Sequence, residues 1–351
     1  DEYRRYYRRK YDELYVKKIE SRYSQNQKEK VVRKKVSPVI IHNVYQCMKD
    51  CCSLSDYHRL SLIRERKISL ARIEQDYFTC PTNWRQKDTI ITRIKEKYPA
   101  YTDEILMNIP GFFYDKKRGK LSFTGHKGLG ILIRNSDSRI VAIQIRKDTI
   151  QEGDSRYIWF SSSFATYNPD EYNGGNGCGS PKDVCYPQML KKHTLCITEG
   201  RFKSEKLTES GNISISVQGV TSWHGIEETI KHMNGIHNVF IFFDADILGK
   251  HVLFMQSEKM IRKIQDEFPG LYIRYAFWSK KNGKGIDDCI IAGNISKVKY
   301  YEAKRAAEIC NDAYTHALGE YHVANLRELK QERAKEFEDY LQILTESMLG
   351  L

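Results

Sequence analysis

Leu195-Cys196-Ile197-Thr198-Glu199-Gly200 and, further on, Val239-Phe240-Ile241-Phe242-Phe243-Asp244-Ala245-Asp246 decide how this chain folds. Each is a short β-branched or aromatic run, the signature of a strand covered on both faces in a parallel sheet. Each ends abruptly in carboxylates. Between them lie a helical stretch at 201–210 and a third apolar run, Ile213-Ser214-Ile215-Ser216-Val217. In open α/β sheets ligands sit at the carboxyl ends of the strands, so Glu199, Asp244 and Asp246 are expected at one edge. Three acidic groups converging there repel one another unless a hard cation is present. Mg²⁺ or Mn²⁺, which takes a few carboxylates and keeps oxygen ligands elsewhere, suits that edge.

Downstream, 252–268 carries a helical apolar face, Tyr272–Trp278 reads as a strand, and Lys284-Gly285-Ile286-Asp287-Asp288 follows a Lys/Gly turn. The alternation over 191–295 predicts an α/β domain, a parallel sheet of about four strands with flanking helices. From 296 to 351 the chain reads as a charged helical segment with Leu326, Leu329, Phe337, Tyr340, Leu341 and Leu344 as a packing stripe.

Upstream, the spacing of Val44, Cys47, Met48, Leu60, Leu62, Ile63, Ile68, Leu70 and Ile73 predicts a helical subdomain over 38–110, with Ser69 placed to cap a helix. From Gly111 to 190 the pattern turns to strands, giving a β-rich subdomain and an α+β core ahead of the α/β domain. Alternation along Arg139–Arg146 places Ile140, Ala142, Gln144 and Arg146 on the more polar face. Arg146 there serves either a phosphate or solubility. Residues 1–37, dense in Arg, Lys and Tyr, read either as a linker or as a nucleic-acid-binding arm.

A formal charge of +12 points to a polyanionic partner, and the 23 Tyr suit stacking on unpaired bases if they do not merely reflect coding bias. Nine Cys without paired spacing read as buried thiols of a reducing compartment, so the cytoplasm is the expected location. No run of about eighteen apolar residues is present, and no membrane partner is expected. The chain begins with Asp1, which reads as a fragment of a longer protein.

Taken together, Ile197–Gly200, Asp244-Ala245-Asp246 and Lys284–Asp288 resemble the Toprim domain of bacterial replicative primases, topoisomerases and some nucleases. Glu199–Lys203 and Gln218-Gly219-Val220-Thr221-Ser222-Trp223 are similar to Toprim primase-like proteins of plasmids, phages and integrative elements. Residues 54–73, Ile109–Phe112 and the paired runs ending at Ile133 and Arg146 are similar to the core subdomain that precedes Toprim in primases, so the likeness covers 54–295. The family's zinc-binding module has no counterpart in these residues.

This resemblance implies a DNA primase of a mobile element, making short RNA primers on single-stranded DNA from nucleoside triphosphates and working beside a replicative helicase. Asp244 and Asp246 are then metal ligands. Glu199 either completes the site or accepts a proton through water. Asp287 and Asp288 are second-metal groups, with Asp287 alternatively a helix cap. Arg146, Arg156, Tyr157, Lys203 and Lys284 contact nucleotide or template, Lys203 alternatively facing solvent. A Toprim nuclease and a non-catalytic module binding single-stranded DNA or a helicase are the rival implications.

Overall fold

The computed structural model describes residues 36–151 and 153–351, so all but the last two positions of the 1–37 arm lie outside the described residues. The chain forms two compact units. One comprises the described residues up to Ser55 together with Asp76–Leu132 and Ile140–Gly179; the other comprises Asp56–Gln75, Ile133–Arg139 and Ser180–Leu351.

In the first unit the helix Pro38–Asp50 starts where Ser37 Oγ accepts from the Val39 N–H (3.3 Å), with Pro at the first position, where a missing donor costs nothing. Its buried face is Val44, Tyr45, Cys47 and Met48, and the Tyr45 hydroxyl donates to the Pro110 carbonyl (2.8 Å). The helix Trp84–Lys97, capped by Asn83, adds Ile90, Ile91 and Ile94. Strands β1 (Tyr77–Thr79), β2 (Phe112–Asp115), β3 (Lys120–Phe123), β4 (Gly128–Arg134), β5 (Ile140–Lys147), β6 (Tyr157–Trp159) and β7 (Tyr172–Gly174) make two sheets, ordered β1-β4-β5-β6 and β3-β2-β7. Helices and strands share one core, including Tyr45, Phe78, Ile94, Phe112, Ile143 and Phe160. The polar face expected on β5 is not there: Ile140, Ala142 and Gln144 are buried like Ile143 and Ile145, the strand being inside its sheet with the Pro38–Asp50 helix packed against it through Ile140, Ile143 and Ile145. Val141 and, at its end, Arg146 and Lys147 are partly exposed.

In the second unit, Ser69 Oγ accepts from the Arg72 N–H (3.4 Å) at the start of the helix Leu70–Asp76, the capping its position predicts. Strands β8 (Asp183–Cys185), β9 (Thr194–Thr198), β10 (Ile213–Ser216), β11 (Asn238–Phe242), β12 (Tyr272–Phe277) and β13 (Lys299–Glu302) form a sheet ordered β13-β12-β11-β9-β10-β8. The inner four are parallel; β8 and β13 close the edges antiparallel. Strand periodicity sends Leu195 and Ile197, Val239 and Ile241, Ile273 and Tyr275 into one core, where the helix His251–Glu267 contributes Phe254, Ile261 and Ile264. Cys196, Phe242 and Ala276 face the other way and meet Leu207, Trp278 and Cys289. The stretch after 296, read as mostly helical, includes near its start β13, whose four residues are too few for a periodic signal. The helices Ala303–Glu320 and Gln331–Met348 follow and pack through Ala313, Ala317, Phe337 and Leu341.

That last helix reaches back to the turn after β11. Gln342 accepts from the Gly249 N–H (2.8 Å) and donates to the Ala245 carbonyl (3.0 Å), and Thr345 donates to Leu248 (3.4 Å). Among the described residues no helix is long and apolar enough to cross a membrane.

His251 stacks flat on Tyr314, with ring centroids 3.6 Å apart, and burial pushes its imidazole from 6.5 to about 4. The unfolded chain therefore takes up a proton across that window and the folded chain does not, so stability is lost as pH falls through it. Urea midpoints of the wild type should drop more steeply between about pH 7 and pH 4 than those of His251→Phe. Parallel pH profiles would count against this assignment.

Candidate active site

Thr198 ends β9 and donates its hydroxyl to the Phe242 carbonyl (2.8 Å) of neighbouring β11, fixing the two strand ends side by side. Glu199 follows directly, and its Oε1 accepts from the Asp244 N–H (2.9 Å). Gly200 then starts the helix Arg201–Thr208, whose first turn carries Lys203 back over the strand ends. The Lys203 ammonium is ion-paired with Asp244 Oδ1 and lies 3.7 Å from Glu199 Oε2. Asp246 is held by Lys250 (2.7 Å), with Lys284 at 3.6 Å.

The loop after β12 forms the wall. Trp278, fully buried, donates its indole N–H to the Gly283 carbonyl (2.9 Å), and the Lys284 carbonyl accepts from the Ala245 N–H (2.9 Å). This brings Gly285 so near that a Cβ there would strike the Asp287 carboxylate and come within 2.9 Å of Lys203 Cε and 3.5 Å of Asp244 Oδ1.

Sequence reasoning left open a capping role for Asp287, and the structure gives that role to Asp288. Its Oδ2 accepts from the Gly285 N–H (3.3 Å), because the third helical residue is the one whose side chain folds back onto the cap. Asp287 is instead buried against Arg66 Nη1 (3.0 Å), and Arg66 also covers the Phe202 ring.

Electrostatics follow from burial and these partners. Burial pushes the Glu199 carboxyl above its ordinary value; Lys203 opposes this, and the charges of Asp244 and Asp246 add to it. Burial and Asp288 likewise raise Asp287 against Lys203 and Arg66. For Asp246 burial acts upward, but the hydrogen bond and charge of Lys250, helped by Lys284, bring it below the usual range. Burial acts to lower Lys203, and Glu199 and Asp244 more than reverse it, so the ammonium is held strongly.

Among the described residues no group of three or more His, Cys, Asp or Glu side chains stands in a metal-holding arrangement. The donor chemistry nonetheless suits a hard cation, since the acidic side chains at the strand ends are all carboxylates and the Glu199–Asp244 gap already holds a positive charge, that of Lys203.

Glu199, Lys203, Asp244, Asp246, Lys284, Asp287 and Asp288 thus lie in one neighbourhood of the second unit. In the first unit Arg146 on β5 stands in register with Tyr157 on β6, and the Arg156 carbonyl accepts from the Lys147 N–H (2.9 Å). Arg146 Nε is buried without a hydrogen-bond partner among the described residues. Lys250, Arg66 and Gly285 were missed from sequence. Lys250 had a signal, its spacing of four from Asp246; Arg66 had none, lying far away in the chain.

A family model described as a domain of unknown function (DUF3854) matches residues 186–296, less than half of the chain. No curated protein matches it. Solved structures do. The RNA polymerase domain of Mycobacterium tuberculosis primase DnaG superposes with a TM-score of 0.53 at 14% identity, covering 87% of this chain and 98% of that one. The zinc-binding and RNA polymerase domains of the Aquifex aeolicus primase give 0.51 at 12%, covering 90% and 76%. A DNA primase domain from Pseudomonas aeruginosa gives 0.51 at 12%, covering 87% and 99%. The chain has the fold of a primase catalytic core.

Proposed function

We propose that this primase-core fold is a working Toprim-type nucleotidyltransferase of a mobile element, making short primers on single-stranded DNA from nucleoside triphosphates. The observation that carries the reading is the placement of Glu199 and Asp244 at the carboxyl ends of adjacent parallel strands, joined by a hydrogen bond and closed around a positive charge. A degenerate domain kept only for binding has no use for half-buried carboxylates held this way, since each costs free energy to desolvate.

Asp244 and Asp246 are the residues to hold Mg²⁺ or Mn²⁺, with Glu199 beside them and Asp287 and Asp288 behind. When bound, the metal neutralises triphosphate charge and lowers the proton affinity of the attacking 3′-hydroxyl. Glu199, held above the ordinary carboxylate range and fixed by the Asp244 N–H, is suited to exchange a proton at that hydroxyl. Lys284, mostly exposed and paired only at 3.6 Å with Asp246, is suited to meet phosphate. Arg146, with its unpartnered buried Nε, is the phosphate or template contact of the first unit, beside Arg156 and Tyr157. A replicative helicase is the partner this activity calls for.

The test incubates the protein with single-stranded DNA, labelled nucleoside triphosphates and Mg²⁺ or Mn²⁺ beside an end-labelled DNA control on a denaturing gel. New short oligonucleotides are expected. Shortening of the labelled DNA without new synthesis would replace this reading by a nuclease, and silence in both lanes would leave a binding module.

A further inference from the structure

We propose that Lys203 is a built-in counter-ion which a divalent cation must displace, so that metal entry frees Lys203 for substrate phosphate. The inference rests on the metal-dependent reading above and deepens it. Three features separate Lys203 from the other cations of the site. Its side chain is only 17% exposed, against 37% for Lys250 and 61% for Lys284. It is shared by two carboxylates, themselves 23% and 13% exposed, which belong to different strand ends. Its stem lies against Gly285, at the place where any side chain would intrude.

The two carboxylates are held from the backbone side. Glu199 is pinned by the Asp244 N–H, and the Asp244 turn is tied to Lys284 and to Gln342. What fills the gap between them is the ammonium. A buried ammonium and a divalent cation cannot both occupy it, because like charges repel strongly where water screens them poorly. Lys203 has the means to leave, on a flexible four-carbon stem in the first turn of its helix. Metal affinity is therefore set low by the competing lysine, and the lysine becomes available when the metal arrives.

The test titrates the full chain with Mn²⁺, without nucleotide or DNA, following free Mn²⁺ by electron paramagnetic resonance. Lys203→Gln, which keeps length and polarity but removes charge, is expected to bind at least about ten-fold more tightly than wild type. Lys203→Arg, which keeps the charge, is expected to bind no more tightly than wild type. In parallel melts, Mn²⁺ should raise the melting temperature of Lys203→Gln more than that of wild type. Equal affinity of Lys203→Gln and wild type would overturn the proposal while leaving the primase reading intact. Tighter binding by Lys203→Arg would also overturn it, and this second variant decides the matter should Lys203→Gln not fold. Absence of saturable Mn²⁺ binding in every variant would remove both the counter-ion role and the metal site beneath it.

Discussion

Asp244→Asn/Asp246→Asn is expected to lower the proposed primer synthesis by about a thousand-fold or more, because both groups proposed to hold the metal are neutralised at once. DNA binding is expected to stay level or improve, since two negative charges leave a surface proposed to meet phosphate. The fold is expected to survive. Asn keeps the shape of Asp, the Asp244 N–H still donates to Glu199, and Gln342 still holds the turn. Synthesis on a denaturing gel and binding by fluorescence anisotropy measure the two effects separately. A double variant as active as wild type would eliminate this site as the catalytic centre; a loss of binding equal to the loss of synthesis would point to a collapsed domain.

Asp183→Ala is expected to destabilise the second unit by about 2–3 kcal/mol, the cost of taking the acceptor away from buried donors while Glu205 still balances the Arg201 charge. Asp183 is fully buried at the start of β8, accepting from the Arg134 N–H (3.0 Å) and from Arg201 Nη1 (3.1 Å to each oxygen). Arg201 is equally enclosed and also donates to Glu205 (2.7 Å). The network binds an antiparallel edge strand to the helix that begins just after Glu199 and carries Lys203. Its loss should therefore show both in urea denaturation and as weaker Mn²⁺ binding. A stability change below about 1 kcal/mol would mean that the cluster contributes little beyond what packing supplies.

Much of this was legible in sequence where a local signal existed. β9, β10, β11 and β12 announced themselves as short apolar runs, and Glu199, Asp244 and Asp246 fell at their ends because parallel strands share a direction. The antiparallel edges were not legible: β8 and β13 have three and four residues, and their pairing is decided by neighbours distant in sequence. The polar face assigned to β5 failed for the same reason, since alternation along one strand cannot reveal that Ala142 and Gln144 will both be buried by neighbours distant in sequence. Lys203 was singled out by its place in the motif, but its inward pairing depends on the exact rotation of a short helix. The partner of Asp287 lies 221 residues earlier, and no pattern connects it to Arg66.

The clamp on the Asp246 turn also has an order in time. A polypeptide is made from its first residue onward, and the turn at 245–249 leaves the ribosome well before the residues that fasten it. Gln342 closes on Ala245 across 97 positions, and Thr345 on Leu248 across 97. Until those residues are synthesised and the last helix has docked, the turn lacks three of its hydrogen bonds, so the strand-end carboxylates are laid down early and set late. A nascent chain halted short of residue 342 carries the whole motif by which the site is recognised in sequence and lacks the three contacts its last helix supplies.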